Sequence, residues 1–182
     1  MEGENEMNQA DIEQRLREDA EVQLMLTTVE RLDLPDWWIC AGVLRSKVWG
    51  SDLNAQSDID IVYFDLSDIS EATEKRHERQ LCEWLDLPWS VKNQARMHAV
   101  NDLPPYTSAQ NAIAQFPETV TAIGVTRRPE FELYLPYGAS DFTDRIIRPT
   151  PSFQVGTERH SIFQQRVNKK GWRDDVSLHI RP

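Results

Sequence analysis

Apolar residues recur from Asn8 to Leu32 at Ile12, Leu16, Ala20 and Leu24 and then, after a shift, at Met25, Val29 and Leu32. That spacing predicts a helix with one buried stripe, stopped at Leu34-Pro35. Trp37 to Cys40 reads as a short buried strand, broken at Gly42, with one or two helical turns over Val43 to Trp49 closed by Gly50. After a polar loop over Ser51 to Ser57 comes Asp58-Ile59-Asp60-Ile61-Val62-Tyr63-Phe64, rich in the β-branched and aromatic residues that favour a strand. Asp68 with Glu71 marks a helix start, and that helix runs to about Leu85 ahead of Pro88. Trp89 to Gln94 is a further strand. Thr107 or Ser108 caps a short helix ending at Phe116. Thr119 to Thr126 and Phe131 to Leu135 form a hairpin, and a last helix runs from about Thr157 to Lys170 with Gly171 after it. This order predicts an α+β (mixed α/β) fold: a small mixed sheet flanked by helices, with an added hairpin and a C-terminal helix.

Composition changes the picture in one respect. The 182 residues carry a formal net charge of −10, which argues against a general DNA or RNA binder and against docking on anionic lipid. The charge is unevenly spread: residues 1–36 hold 11 acids and 3 bases, residues 37–144 hold 16 and 9, and residues 145–182 hold 3 and 8. The basic end can face phosphates or pair with the acidic N-terminal helix, and charge complementarity favours the pairing. One domain over 1–182 is expected, with 1–36 an acidic helical extension and 37–182 the core. Cys40 and Cys82 sit in apolar stretches and read as buried, reduced thiols. The acidic start, Met1 to Glu6, lacks the apolar core of a signal peptide, and the run Trp37 to Leu44 is too short to span a bilayer. A cytoplasmic protein is expected.

The candidate chemistry lies at Asp58-Ile59-Asp60. In a strand, residues i and i+2 share a face, so both carboxylates project together, roughly 6–7 Å apart at Cα. Two such acids repel unless a cation lies between them, and Mg²⁺ suits that place, being held by one or two carboxylates plus phosphate oxygens. With 15 Asp in the chain, about one Asp-x-Asp arises by chance; context adds the weight. The Gly42 turn at a helix start offers backbone N–H groups to a phosphate, and Arg45 adds a charged clamp.

The layout Trp38-Ile39-Cys40-Ala41-Gly42, Arg45, then Asp58-Ile59-Asp60-Ile61-Val62 resembles the polymerase-β-type nucleotidyltransferase superfamily. More narrowly, the chain resembles a bacterial nucleotidyltransferase-like family that began as a domain of unknown function. The stretches that carry this are Ala41 to Arg45, Asp58 to Asp65, Val91-Lys92-Asn93-Gln94-Ala95-Arg96-Met97-His98, Phe116 to Thr119, Pro136 to Gly138, Arg148 to Pro151 and Arg166 to Trp172, covering roughly residues 37–172. The resemblance implies a glycine turn for the triphosphate, Asp58 and Asp60 for Mg²⁺, and transfer of an NMP from an NTP to an acceptor hydroxyl. It also implies a third carboxylate on the strand after Asp-x-Asp, which binds metal and takes the hydroxyl proton. Here that strand carries Asn93, and the usual Gly-Ser is Gly42-Val43. Glu118 is the candidate replacement acid, and Arg96 and His98 are further candidates for the nucleotide. Two alternatives stand beside the enzyme: a catalytically impaired nucleotide-binding or protein-interaction module on the same fold, and an antibiotic-modifying adenylyltransferase.

Overall fold

The computed structural model describes residues 7–50 and 58–182. The expected loop over 51–57 and the first six residues lie outside them. The chain folds as a five-stranded mixed sheet with helices on both faces and a two-stranded pair apart from it.

The strand order is β3-β2-β1-β4-β5, with β1 Trp38–Cys40, β2 Ile59–Tyr63, β3 Trp89–Asn93, β4 Gly124–Arg127 and β5 Phe131–Tyr134. β1 is central and antiparallel to both β2 and β4, β4 and β5 form the expected hairpin, and β2 runs parallel to β3. The parallel pair needs a crossover, supplied by α4 (Glu71–Trp84). α4 also closes the β3 edge. The Glu74 and Glu78 carboxylates accept from the Asn93 and Val91 N–H groups at 2.8 and 3.0 Å, so the edge is not left as a template for another strand.

The stretch 8–32 is two helices, a correction to the single helix the periodicity predicts. α1 (Gln9–Glu18) and α2 (Ala20–Glu30) meet at Asp19, whose backbone is extended and whose side chain accepts from the Glu21 and Val22 N–H groups. An aspartate that caps a second helix ends the first. The break turns the buried face: Ile12, Leu16, Val22, Met25, Leu26 and Val29 are fully buried, whereas Leu24 is half exposed. Further departures are local. α4 is capped by Ser70, with Asp68, two residues earlier, bonded to Ser70 and Thr73, and Cys82 on the same helix is exposed rather than buried, whereas Cys40 is buried as expected. Thr119 to Ile123 is a buried turn rather than strand, closed by Thr121 and Ala122 N–H groups on the Glu118 carbonyl. A helix, α5 (Gln94–Val100), follows β3 directly, and β6 (Ile146–Ile147) pairs with β7 (His179–Ile180).

The two faces of the sheet are covered unequally. Ile39, Ile59, Ile61, Val91 and Val125 point into the main core, which takes in α1, α2 and α3 (Gly42–Val48). Trp38, Cys40 and Val62 point the other way, into a smaller cluster with Ala109 and Ile113 of α6 (Ala109–Ile113). Asp60 shares this second face by alternation. Gly124 makes the thin layer possible: a Cβ there would lie 3.0 Å from Ile113 Cδ1 and 3.1 Å from Trp38 Cε3. No helix among the described residues is long and apolar enough to cross a membrane.

Candidate functional site

The site forms where the second face runs out of cover. Asp60 pairs with Cys40 across β1 and β2, and Asp58 stands exposed one step before the strand. Burial pushes the Asp60 carboxyl up to about 6, the Asp58 charge adds to this, and Lys170, Arg166 and Lys92 hold it down. Asp60 is thus a largely desolvated acid with a like charge beside it and three cations around it. Such a pair is a hard oxygen donor set that a divalent cation would relieve.

The turn after β1 carries strain at Ala41 rather than at Gly42. Ala41 has φ 65° and ψ −133°, a conformation that favours glycine. Its N–H donates to the Ile123 carbonyl, and its own carbonyl starts α3 by accepting from Arg45. A Cβ on Gly42 would meet nothing closer than Arg45 Nη2 at 3.5 Å, so Gly42 gives access, whereas Ala41 makes the turn. The sharp turn swings α3 so that Arg45 faces the pocket.

Arg45 is buried, and its guanidinium lies 5.1 Å from the Trp172 ring centroid. Trp172 is brought there by the end of α8 (His160–Lys169), where Gly171 takes φ 66° and Trp172 N–H returns to the Val167 carbonyl. Burial lowers Arg45 to about 10 against the pull of Glu118, so it stays charged at neutral pH. Arg45 Nη1 donates to Thr121 Oγ1 at 2.9 Å, and Thr121 Oγ1 donates to Glu118 Oε2 at 2.7 Å. Glu118 is fully buried and holds Arg166 by two bonds, Nε to Oε1 at 2.6 Å and Nη2 to Oε2 at 3.1 Å. One buried carboxylate therefore orders two arginines, directly and through a threonine.

These groups enclose a cavity of about 240 Å³ lined by Gly42, Arg45, Asp58, Asp60, Arg166 and Lys170 among others. Burial and the two arginines push the Lys170 ammonium down from its ordinary value, against the opposing pull of Asp60 and Glu118. A second cavity of about 210 Å³ adjoins it on the β3 side, sharing Ala41, Asp60, Thr121 and Arg166 and adding Lys92, Gln94 and Phe116.

The fold thus brings together Gly42, Arg45, Asp58 and Asp60, with Glu118 behind them. Asn93, Arg96 and His98 line neither cavity. Asn93 is opposite Tyr63, whereas Asp60 is opposite Ser90, which puts Asn93 about 10 Å along the sheet from Asp60. Its side chain is also fully used: Oδ1 accepts from Asp65 and Ala95 N–H, and Nδ2 donates to the Asp65 and Asp68 carbonyls. Arg96 is bonded to Glu74, and His98 packs edge-on to Tyr106. Among the described residues no third acidic, histidine or cysteine side chain joins Asp58 and Asp60.

Thr121, Arg166, Lys170 and Lys92 receive no role from the sequence, although the last three fall within stretches that carry the family resemblance. The available signal is the four-residue spacing of Arg166 and Lys170, which puts both on one helix face. The basic end does not pair with the N-terminal helices among the described residues: Asp19 and Glu21 hold Lys47, and Glu30 holds Arg127.

A family model described as Nucleotidyltransferase matches residues 27–177. A chain whose NMR structure is described as revealing a CCA-adding enzyme head domain is 32% identical, with 96% of each chain covered and a TM-score of 0.83. A CCA-adding enzyme in complex with CTP is 11% identical, with a TM-score of 0.61, over 96% of this chain and 43% of that one. The Thermotoga maritima CCA-adding enzyme complexed with tRNA is 13% identical, with a TM-score of 0.59, over 94% of this chain and 42% of that one. The last two likenesses are of fold, and this chain spans less than half the length of those enzymes. No functionally curated protein matches in sequence. With most of the chain inside the family match and an acid pair facing a cationic cavity on the shared head-domain fold, this protein belongs to the nucleotidyltransferase family.

Proposed function

We propose that the protein transfers a nucleoside monophosphate from an NTP to an acceptor hydroxyl and depends on Mg²⁺. The observation that carries this is the acid pair Asp58 and Asp60 facing Arg45, Arg166 and Lys170 across one cavity. The three cations bind the phosphates, and Glu118 and Thr121 keep the two guanidinium groups aimed before substrate arrives, so little reorganisation remains for the reaction. Asp58 and Asp60 hold Mg²⁺, which when bound neutralises phosphate charge and polarises the α-phosphate. The acceptor oxygen forms a bond to the α-phosphorus, the bridging bond to the β-phosphate breaks, pyrophosphate leaves with the electron pair, and the hydroxyl proton passes to solvent.

Calorimetric titration of ATP and of CTP with Mg²⁺ tests this. Metal-dependent binding is expected in the natural protein and is expected to be lost in Asp58→Asn/Asp60→Asn. Identical titrations for both proteins would overturn the assignment.

One observation favours a second reading, a nucleotide-binding module without turnover. On β3 the side chains that share the Asp60 face are Ser90 and Lys92, so a lysine stands where an acid would accept the hydroxyl proton. Release of pyrophosphate in the presence of any hydroxyl acceptor excludes that reading.

A further inference from the structure

A groove of about 510 Å³ leads from the β3-side cavity to the surface, and the two share Asn101, Phe116, Pro117 and Arg166. Arg166 also lines the phosphate cavity. The three spaces therefore form one continuous run that passes Arg166 throughout. Its character changes along the way. Near Asp60 it is lined by Lys92, whose ammonium pairs with Glu74 and Glu78 at 3.7 and 3.9 Å, and by the Gln94 amide, whose Nε2 is tied to the Lys92 carbonyl at 3.3 Å so that Oε1 remains as an acceptor. Further out the walls are Leu103, Phe116, Pro117 and Phe153. The rim includes Val100 and Ile162, 65% and 42% exposed.

The direction of the reaction assigns this space. Displacement at phosphorus is in line, so the attacking oxygen enters opposite the departing pyrophosphate. With Arg45 and Lys170 drawing the phosphates to one side of Asp60, the attacking oxygen arrives from the other, where the β3-side cavity and the groove lie. We propose that this run of space is the acceptor site, and that the acceptor is a small hydroxyl compound with an uncharged apolar body. Its hydroxyl lies at Asp60, and its body runs over Phe116 and Pro117 toward Phe153. Groove volume is that of a small-molecule site. The lining decides against a polycationic acceptor: the outer walls are Leu103, Phe116, Pro117 and Phe153, and among the described residues Asp102 is the one acid on them, while the inner Lys92 and Arg166 are already paired with Glu74, Glu78 and Glu118. The antibiotic-modifying alternative, which needs an acidic groove for a cationic drug, is disfavoured on the same ground. The inference rests on the nucleotidyl-transfer reading and adds the acceptor's class to it.

Methyl NMR of the full chain tests it, with phenylpropanol as the neutral apolar alcohol and kanamycin as the polycation. Each is titrated with α,β-methylene-ATP and Mg²⁺ present, and nucleotide binding is measured by calorimetry on the same sample. Phenylpropanol is expected to give saturable shifts at the Val100, Leu103 and Ile162 methyls, and kanamycin none. Ile162→Glu, at a half-exposed rim position, is expected to weaken phenylpropanol about tenfold, the order of effect of a charge against an apolar ligand, with nucleotide affinity unchanged. Nucleotide binding with no alcohol shift at these methyls, or tighter binding of kanamycin there, overturns the acceptor assignment alone. Shifts of the same methyls on raising protein concentration without probe identify a second copy as the occupant and overturn it too. Absence of nucleotide binding overturns both readings.

Discussion

Glu118 and Asn93 are the two side chains proposed from the sequence for one place near the metal, and their surroundings set them apart. Asn93 has all four of its side-chain hydrogen-bonding positions used by backbone groups, and its work is to tie the end of β3 to the loop before α4. Glu118 has no exposure and no free oxygen: Arg166 and Thr121 share both. Removing one partner of a buried ion pair leaves the other uncompensated and costs about 3 kcal/mol. Glu118→Gln is therefore expected to lower unfolding stability by about that amount in urea titration, the Arg166 end being partly solvated. Asp58→Asn, at an exposed position, is expected to change it by about 0.5 kcal/mol or less. Equal effects would mean that Glu118 is not the anchor described here. Sequence could nominate Glu118 as an acid near the site; its partners, 48 residues away in α8 and three residues on in the turn, were not legible in any local pattern.

At the scale of elements, the turn between β1 and α3 decides how Arg45 reaches the cavity. The sequence draws the eye to Gly42, yet the residue with the positive φ is Ala41, because the chain must reverse directly after Cys40, which is still paired to both neighbouring strands. An alanine held there stores strain. Ala41→Gly is expected to stabilise the protein by about 1 kcal/mol or less, the relief offset by the greater freedom of glycine in the unfolded chain. A destabilised variant in urea titration would remove the claim of strain. The N-terminal helices teach the same lesson in reverse. Their apolar spacing was legible, but a competing signal at Asp19, a side chain able to cap a new helix, set the break and rotated the buried stripe. The strand expected over Thr119 to Thr126 starts only at Gly124; before it the Glu118 carbonyl closes a turn and brings Thr121 between Arg45 and Glu118.

For the molecule as a whole, charge alone suggested an appended acidic segment at the N-terminus. Packing assigns those residues another place: Ile12, Leu16, Val22, Met25, Leu26 and Val29 are fully buried in the main core, and Asp19 and Glu21 hold Lys47 of α3. Each such side chain contributes about 1.5–3 kcal/mol of burial, and together these are comparable with the whole net stability of a typical domain, about 5–15 kcal/mol. A chain lacking residues 1–36 is therefore expected to lose cooperative thermal unfolding by circular dichroism. A truncated chain with an intact transition would return the segment to the status of an appendage. Coverage of the sheet follows from this layout. α1, α2 and α3 thicken one face, α6 thinly covers the other, and α8 approaches the uncovered end with Arg166 and Lys170.

Sequence by itself determined the mixed α/β class and most strands and helices, and it drew attention to Asp58 and Asp60, of which Asp60 lies in β2 and Asp58 just before it. Each rests on local rules: alternation with period two, helical spacing, and breakers at proline and glycine. Only the tertiary structure decided which cations meet that acid pair. Arg45 of α3, Glu118 and Thr121 of one turn, and Arg166 and Lys170 at the end of α8 come from three separate parts of the chain, and hydrogen bonding within a buried space, where an unpaired charge is costly, gathers Arg45, Thr121, Glu118 and Arg166. Distance along the chain carries no record of that cost, so the partners become visible when the sheet, the turn after β1 and the last helix are in place.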